Sequence, residues 1–194
     1  MIKNTLIIFL LWIPASLMAQ EYAQYEVSAA NPYGLPNPKA PEQVKDFAPM
    51  IGKCHCKSET RNADGTWAAP VDMTWTFKYI MNGLGVQDET IKADGGHSGS
   101  IRQYHVDSAR WYVHWYGSAS PTPVLSAWEG NATAEKDKIM LYRDQAAPNG
   151  MDGYFRLTFY DFNNTGYKWV GEWTDKAEKI VFPTWKISCT RKEE

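Results

Sequence analysis

The chain has 194 residues, with 20 lysines and arginines against 22 aspartates and glutamates. A net charge of −2 with scattered lysines leaves no basic footprint for a nucleic acid. Aromatic residues make up 14%, with nine Trp and eleven Tyr, a composition that favours strands.

The chain opens MIKNTLIIFLLWIPASLMAQ. Lys3 is positive, the apolar run from Leu6 to Met18 is broken by Pro14, and Ala19 is small. This predicts a secretory signal peptide over 1–19, cut near Ala19; the run is too short and too broken for a membrane anchor. Gln20 follows the cut, so no lipid-anchoring Cys stands there. No later stretch is apolar enough to span a bilayer. The expectation is an exported, periplasmic or extracellular chain of about 175 residues, enough for one domain with its own core. Export permits disulfides, and three cysteines leave one over after any single bond.

Residues 20–40 hold three prolines and no apolar period, which reads as a loosely ordered lead-in. The domain proper is expected over 41–194. Pro41 opens PEQVKDFAPMIG, where Val44, Phe47 and Ile51 are spaced three or four apart. That predicts one short helix near 41–50, with Pro49 limiting its end.

From Gly52 onward, short alternating runs are separated by turn signals about every ten residues, the pattern of an antiparallel barrel or sandwich. GKCHCKSET is the first strand, turned by NADG at 62–65. VDMTWTFKYI follows, with Val71, Met73, Trp75, Phe77 and Tyr79 on one face and Asp72, Thr74, Thr76 and Lys78 on the other. NGLG leads to VQDETIK, then ADGG. SIRQYHV and WYVHWYG flank DSAR (107–110), a hairpin in which Val106 would face Trp111 and Tyr104 would face Val113. VLSAWEG, KIMLYR, GYFRLTFYDF, YKWVGEW and IVFPTWKISC complete about nine or ten strands.

Several landmarks together resemble the lipocalin-like (calycin) barrels, and within them a bacterial family of domains of unknown function. They are FAPMIG (47–52), DGTW (64–67), WTFKYIMNGLGVQD (75–88), YHVDSARW (104–111) and GYKWVGEW (166–173). The resemblance covers roughly residues 45–192. It implies a single up-and-down antiparallel barrel with one short N-terminal helix, and no particular chemistry. Such families often carry Trp two residues after the opening Gly, closing the barrel floor; here that position is Cys54.

Cys54 and Cys56 flank His55 on a strand, so the two thiols point one way and the imidazole the other. That spacing does not converge on a tetrahedral metal. A closed barrel places its first and last strands side by side, so Cys189 falls beside Cys54 or Cys56. A disulfide is the favoured reading, with Cys56 slightly preferred; three buried thiols or a metal are the alternatives. The spare cysteine is expected to be buried and inert. His105 and His114 would share an outer face of the hairpin, and a solvated face is preferred to a metal pair. His97 sits in a glycine-rich turn, and no histidine follows His114 to hold haem near the C-terminus as in some related barrels. Neither metal nor cofactor is expected.

There is no G-x-S-x-G, H-E-x-x-H or phosphate loop. Acidic pairs such as Asp88/Glu89 and Glu129/Glu172 read as surface charge. On YFRLTFY either face could look inward. If it were the Arg156 face, the guanidinium would need Glu129, Glu172 or Asp88, or an anionic ligand. The expected function is binding of a small apolar ligand, with Trp75, Phe77, Tyr104, Trp115, Trp128, Arg156 and Trp169 as the candidate lining. The alternatives are an exported hydrolase or isomerase using polar groups at the barrel mouth, and a packed barrel acting through its surface.

Overall fold

A computed structural model describes residues 23–191 of the chain. The expected signal peptide lies outside the described residues. Ten strands run in chain order: β1 (Gly52–Thr60), β2 (Val71–Ile80), β3 (Gly85–Lys92), β4 (His97–His105), β5 (Arg110–Gly117), β6 (Ser126–Ala132), β7 (Lys138–Asp144), β8 (Gly153–Asn163), β9 (Gly166–Asp175) and β10 (Val181–Thr190). Each pairs antiparallel with its neighbour in sequence, and β10 pairs with β1, so the sheet closes into a barrel. Closure leaves no exposed edge strand.

The period-2 pattern decides which side chains enter. On β2, Met73, Trp75, Phe77 and Tyr79 are buried while their neighbours are not. On β5, Trp111 and Val113 are buried in the same way. The lower half of the barrel is filled by rings. Trp75 lies 5.7 Å from Phe159, Phe77 lies edge-on to Phe159 at 6.2 Å, and Phe77 meets Tyr167 at 6.1 Å.

One end is plugged by a 3₁₀ helix over Glu42–Met50. Its buried side chains are Val44, Phe47 and Met50, spaced by three, which matches a helix with three residues per turn. Ile51, expected on the same stripe, instead caps the helix and is half-buried. Phe47 meets Trp111 edge-on at 4.8 Å, and the Trp111 indole N–H donates to Asp46 at 3.1 Å. This helix seals the floor that Cys54, lacking a ring, cannot close.

Residues 23–40, expected as a loosely ordered lead-in, run against the β2–β3 turn and hydrogen-bond to it. The Tyr25 amide donates to the Asn82 side chain at 2.9 Å, Asn37 Nδ2 donates to the Asn82 carbonyl at 3.0 Å, and the Tyr79 amide donates to the Tyr33 carbonyl at 2.9 Å. Gly83, at φ +77°, makes this contact possible: a Cβ there would sit 2.3 Å from the Leu35 carbonyl oxygen.

The β4–β5 hairpin is shifted by two residues from the expected register. Tyr104 faces Trp111 and Arg102 faces Val113, and the connecting loop is 106–109, with Ala109 in the left-handed region at φ +49°. A shift of two preserves the faces. His114 now faces Ile101, well along the strand from His105, so the two imidazoles do not meet. Among the described residues no group of three metal-ligating side chains comes together.

At the seam, Cys56 lies directly opposite Cys189 and is bonded to it, with Cα atoms 4.0 Å apart. Cys54 is free and fully buried. Burial pushes its thiol pKa up.

Candidate functional site

The upper half of the barrel is not filled. A cavity of about 240 Å³ opens at the end opposite the 3₁₀ helix. Its floor is Asp88, Arg102, Trp75 and Phe159. One wall is aromatic and aliphatic, with Trp128, Phe155, Leu157, Trp169, Trp185 and Ile187. The β3–β4 wall carries the hydroxyls of Thr90, Ser98 and Ser100. Thr90 and Ser98 satisfy each other at 2.6 Å. Lys92, Trp115, Ser126 and Arg143 stand toward the mouth.

The floor is held by a buried ion pair. Arg102 is 2% exposed and Asp88 is 3% exposed. The Arg102 Nη1 donates to Asp88 Oδ1, and the Trp75 indole N–H donates to Asp88 Oδ2 at 2.6 Å. The guanidinium lies over Phe77 at 4.9 Å and over Phe47 at 5.0 Å, while its Nε has no partner among the described residues. Two charges removed from water are costly, and this pair is tolerable because each is met by its opposite and by oriented ring or N–H partners. It fixes Trp75 across the barrel and so sets the depth of the cavity.

Of the seven residues expected to line a cavity, four do so: Trp75, Trp115, Trp128 and Trp169. Phe77 points inward but lies below the floor, under Arg102. Tyr104 also points inward, at the plugged end, 5.7 Å from Trp111. Arg156 is a correction: it lies on the outer face. Its Nε and Nη2 donate to Glu172 at 3.0 and 2.7 Å, and its Nη1 to Glu178. The interior took the apolar face of β8, Phe155, Leu157 and Phe159, because the alternative would bury a charge and expose three large apolar side chains.

The inward arginines are instead Arg102 and Arg143. Both were legible as members of inward alternations, Ser100/Arg102/Tyr104 on β4 and Ile139/Leu141/Arg143 on β7. Glycines make room for two of the indoles. A Cβ at Gly117 would meet the Trp115 ring at 2.7 Å, and one at Gly171 would meet the Trp169 ring at the same distance.

No family model and no curated protein matches the chain. Among solved structures, a crystal structure of Rv2717c from M. tuberculosis matches with a TM-score of 0.52 and 9% identity, covering 80% of this chain and 100% of that one. Weaker likenesses are to the S-type phycobiliprotein lyase CPES from Guillardia theta and to EF1p2_mFAP2b bound to DFHBI. The first has a TM-score of 0.47 and 8% identity over 76% of this chain and 91% of the other. The second has a TM-score of 0.35 and 12% identity over 78% of this chain and 100% of the other. The protein is a closed, up-and-down barrel of ten antiparallel strands, plugged at one end by the 3₁₀ helix. The likeness to Rv2717c concerns the fold.

Proposed function

We propose that the protein is an exported binder of one small, largely apolar molecule, held in the upper half of the barrel. The observation that carries this is the cavity itself: about 240 Å³ left open in a barrel whose lower half is packed with rings. Protein interiors are normally filled to crystal-like density, so a void of this size, open at one end, is a departure from packing for its own sake. This weighs against a barrel that acts only through its surface. Five tryptophans on separate strands line it. Export is supported by the Cys56–Cys189 bond, which belongs to oxidising compartments, and by the leader-like first nineteen residues.

Size limits the ligand. A cavity of about 150 Å³ takes benzene, so this one takes about ten non-hydrogen atoms. A sterol or a haem would not be enclosed. Naphthalene is a suitable neutral probe. Titrated into the protein, it should quench tryptophan fluorescence saturably. Leu157→Trp, which fills the cavity from β8, should remove the effect. No saturable change with the wild type, or an unchanged response in the filled variant, would remove the cavity from consideration as a binding site.

A further inference from the structure

Three cations reach the cavity lining, and they differ in how they are balanced. Arg102 has Asp88. Lys92 has Asp94 at 2.9 Å. Arg143, pointing inward near the end of β7, has no carboxylate within ion-pair distance among the described residues; its side chain donates once, from Nη2 to the neutral Gln145 amide oxygen at 2.6 Å. Its guanidinium lies over the Trp128 ring at 4.4 Å and 5.8 Å from Phe155. Burial alone lowers its pKa, with no anion to oppose it. The contrast with the outer face is clear: Arg156 has two carboxylates there, and Arg110 has Glu129 at 2.6 Å.

The charge lining the cavity is therefore uneven. Arg102 cancels Asp88 and Lys92 cancels Asp94, which leaves one positive charge, on Arg143. Holding a half-desolvated cation without a counter-charge costs free energy, and Trp128 offsets only part of that cost. An arginine fork presents parallel donors that match a carboxylate in two places. Both forks of the guanidinium share Nη2, which carries a second hydrogen beyond the one given to Gln145, and Nε and Nη1 donate to nothing among the described residues, so one complete fork is free. We infer that the ligand is a small aromatic monocarboxylate, its carboxylate on Arg143 at the mouth and its ring against Trp128, Phe155 and Leu157. This rests on the cavity being a binding site. The aromatic wall favours a flat rigid ring over a flexible chain, which would lose more freedom on entering. At about ten non-hydrogen atoms, the scale of cinnamate fits the space.

The test is titration calorimetry of the wild-type protein with cinnamate and with its neutral isostere, cinnamamide. The expected result is that cinnamate binds about tenfold tighter or more, the range for charge-assisted hydrogen bonds. In Arg143→Gln that preference should vanish, because cinnamate loses affinity while cinnamamide binds as before. Retained cinnamamide binding shows that the variant's cavity is intact. If Arg143→Gln binds neither compound, Arg143→Lys decides: a reduced acid-over-amide ratio supports the inference and an unchanged ratio overturns it. Equal wild-type affinities for acid and amide, or a preference that survives Arg143→Gln, overturn the carboxylate assignment while leaving the binding cavity standing. Binding of neither compound and no response to naphthalene overturns both.

Discussion

Replacing Asp88 by asparagine removes the negative charge that faces Arg102. Asparagine keeps one acceptor oxygen, which can serve the Trp75 indole, and turns its NH2 toward the guanidinium, so the change removes the charge together with the hydrogen bond from Arg102. Both members of the pair are nearly inaccessible, at 2% and 3% exposure, and the guanidinium is ringed by Phe47, Phe77 and Phe159. Breaking a buried pair from one side costs about 3–5 kcal/mol because the remaining charge is stranded. In a domain of this size each kcal/mol moves Tm by about 2–4 °C, so Asp88→Asn should melt about 6–20 °C lower. The double variant Asp88→Asn/Arg102→Met should recover most of the loss, to within about 1–2 kcal/mol of wild type, since methionine adapts to the space among the three phenylalanines. Glu129→Gln serves as the exposed control. Its pair with Arg110 is 43% and 47% exposed, and its loss should cost less than about 1 kcal/mol. Urea denaturation followed by tryptophan fluorescence reads all three. If Asp88→Asn costs no more than Glu129→Gln, the floor pair is solvated, and its role in fixing Trp75 is wrong.

The remaining predictions concern the seam and the plug. Denatured, unreduced mature protein should titrate one thiol per chain, and the native protein none, because Cys54 is buried with its thiol pKa pushed up. Reduction should cost up to about 5 kcal/mol for a bond spanning 133 positions, and a count of three thiols would refute the bond. Asp46 has its pKa raised, first by burial and only partly countered by the hydrogen bond from Trp111. The folded state therefore binds this proton more tightly than the unfolded one. Its contribution is favourable below the ordinary carboxylate pKa and is lost as pH rises through the raised folded value. Asp46→Asn, which keeps an acceptor for Trp111, should be the more stable protein near neutral pH and lose that advantage in acid. Equal stability of the two at neutral pH would contradict it.

Much of this protein is written in local alternation. The inward face of β2, the number of strands and the plugging helix follow from side-chain spacing, because strand and helix periods are properties of the backbone itself. That Cys189 bonds to a cysteine of β1 follows too, since a closed barrel must bring its ends together and parity puts Cys54 and Cys56 on one side; the β1–β10 register, which sets Cys56 opposite Cys189, decided between the two. Alternation alone does not say which of two plausible faces turns inward. On β8 that was settled by the summed burial of Phe155, Leu157 and Phe159 against one guanidinium, and Arg156 went outside to Glu172 and Glu178. The hairpin register depended on the backbone of loop 106–109, where Ala109 adopts a left-handed conformation that its sequence does not advertise. The Asp88–Arg102 pair and the lone Arg143 depended on how strands meet across the barrel. The cavity is the least local feature of all. It is the space left after side chains from most of the strands have been placed, and only the closed tertiary structure fixes that remainder.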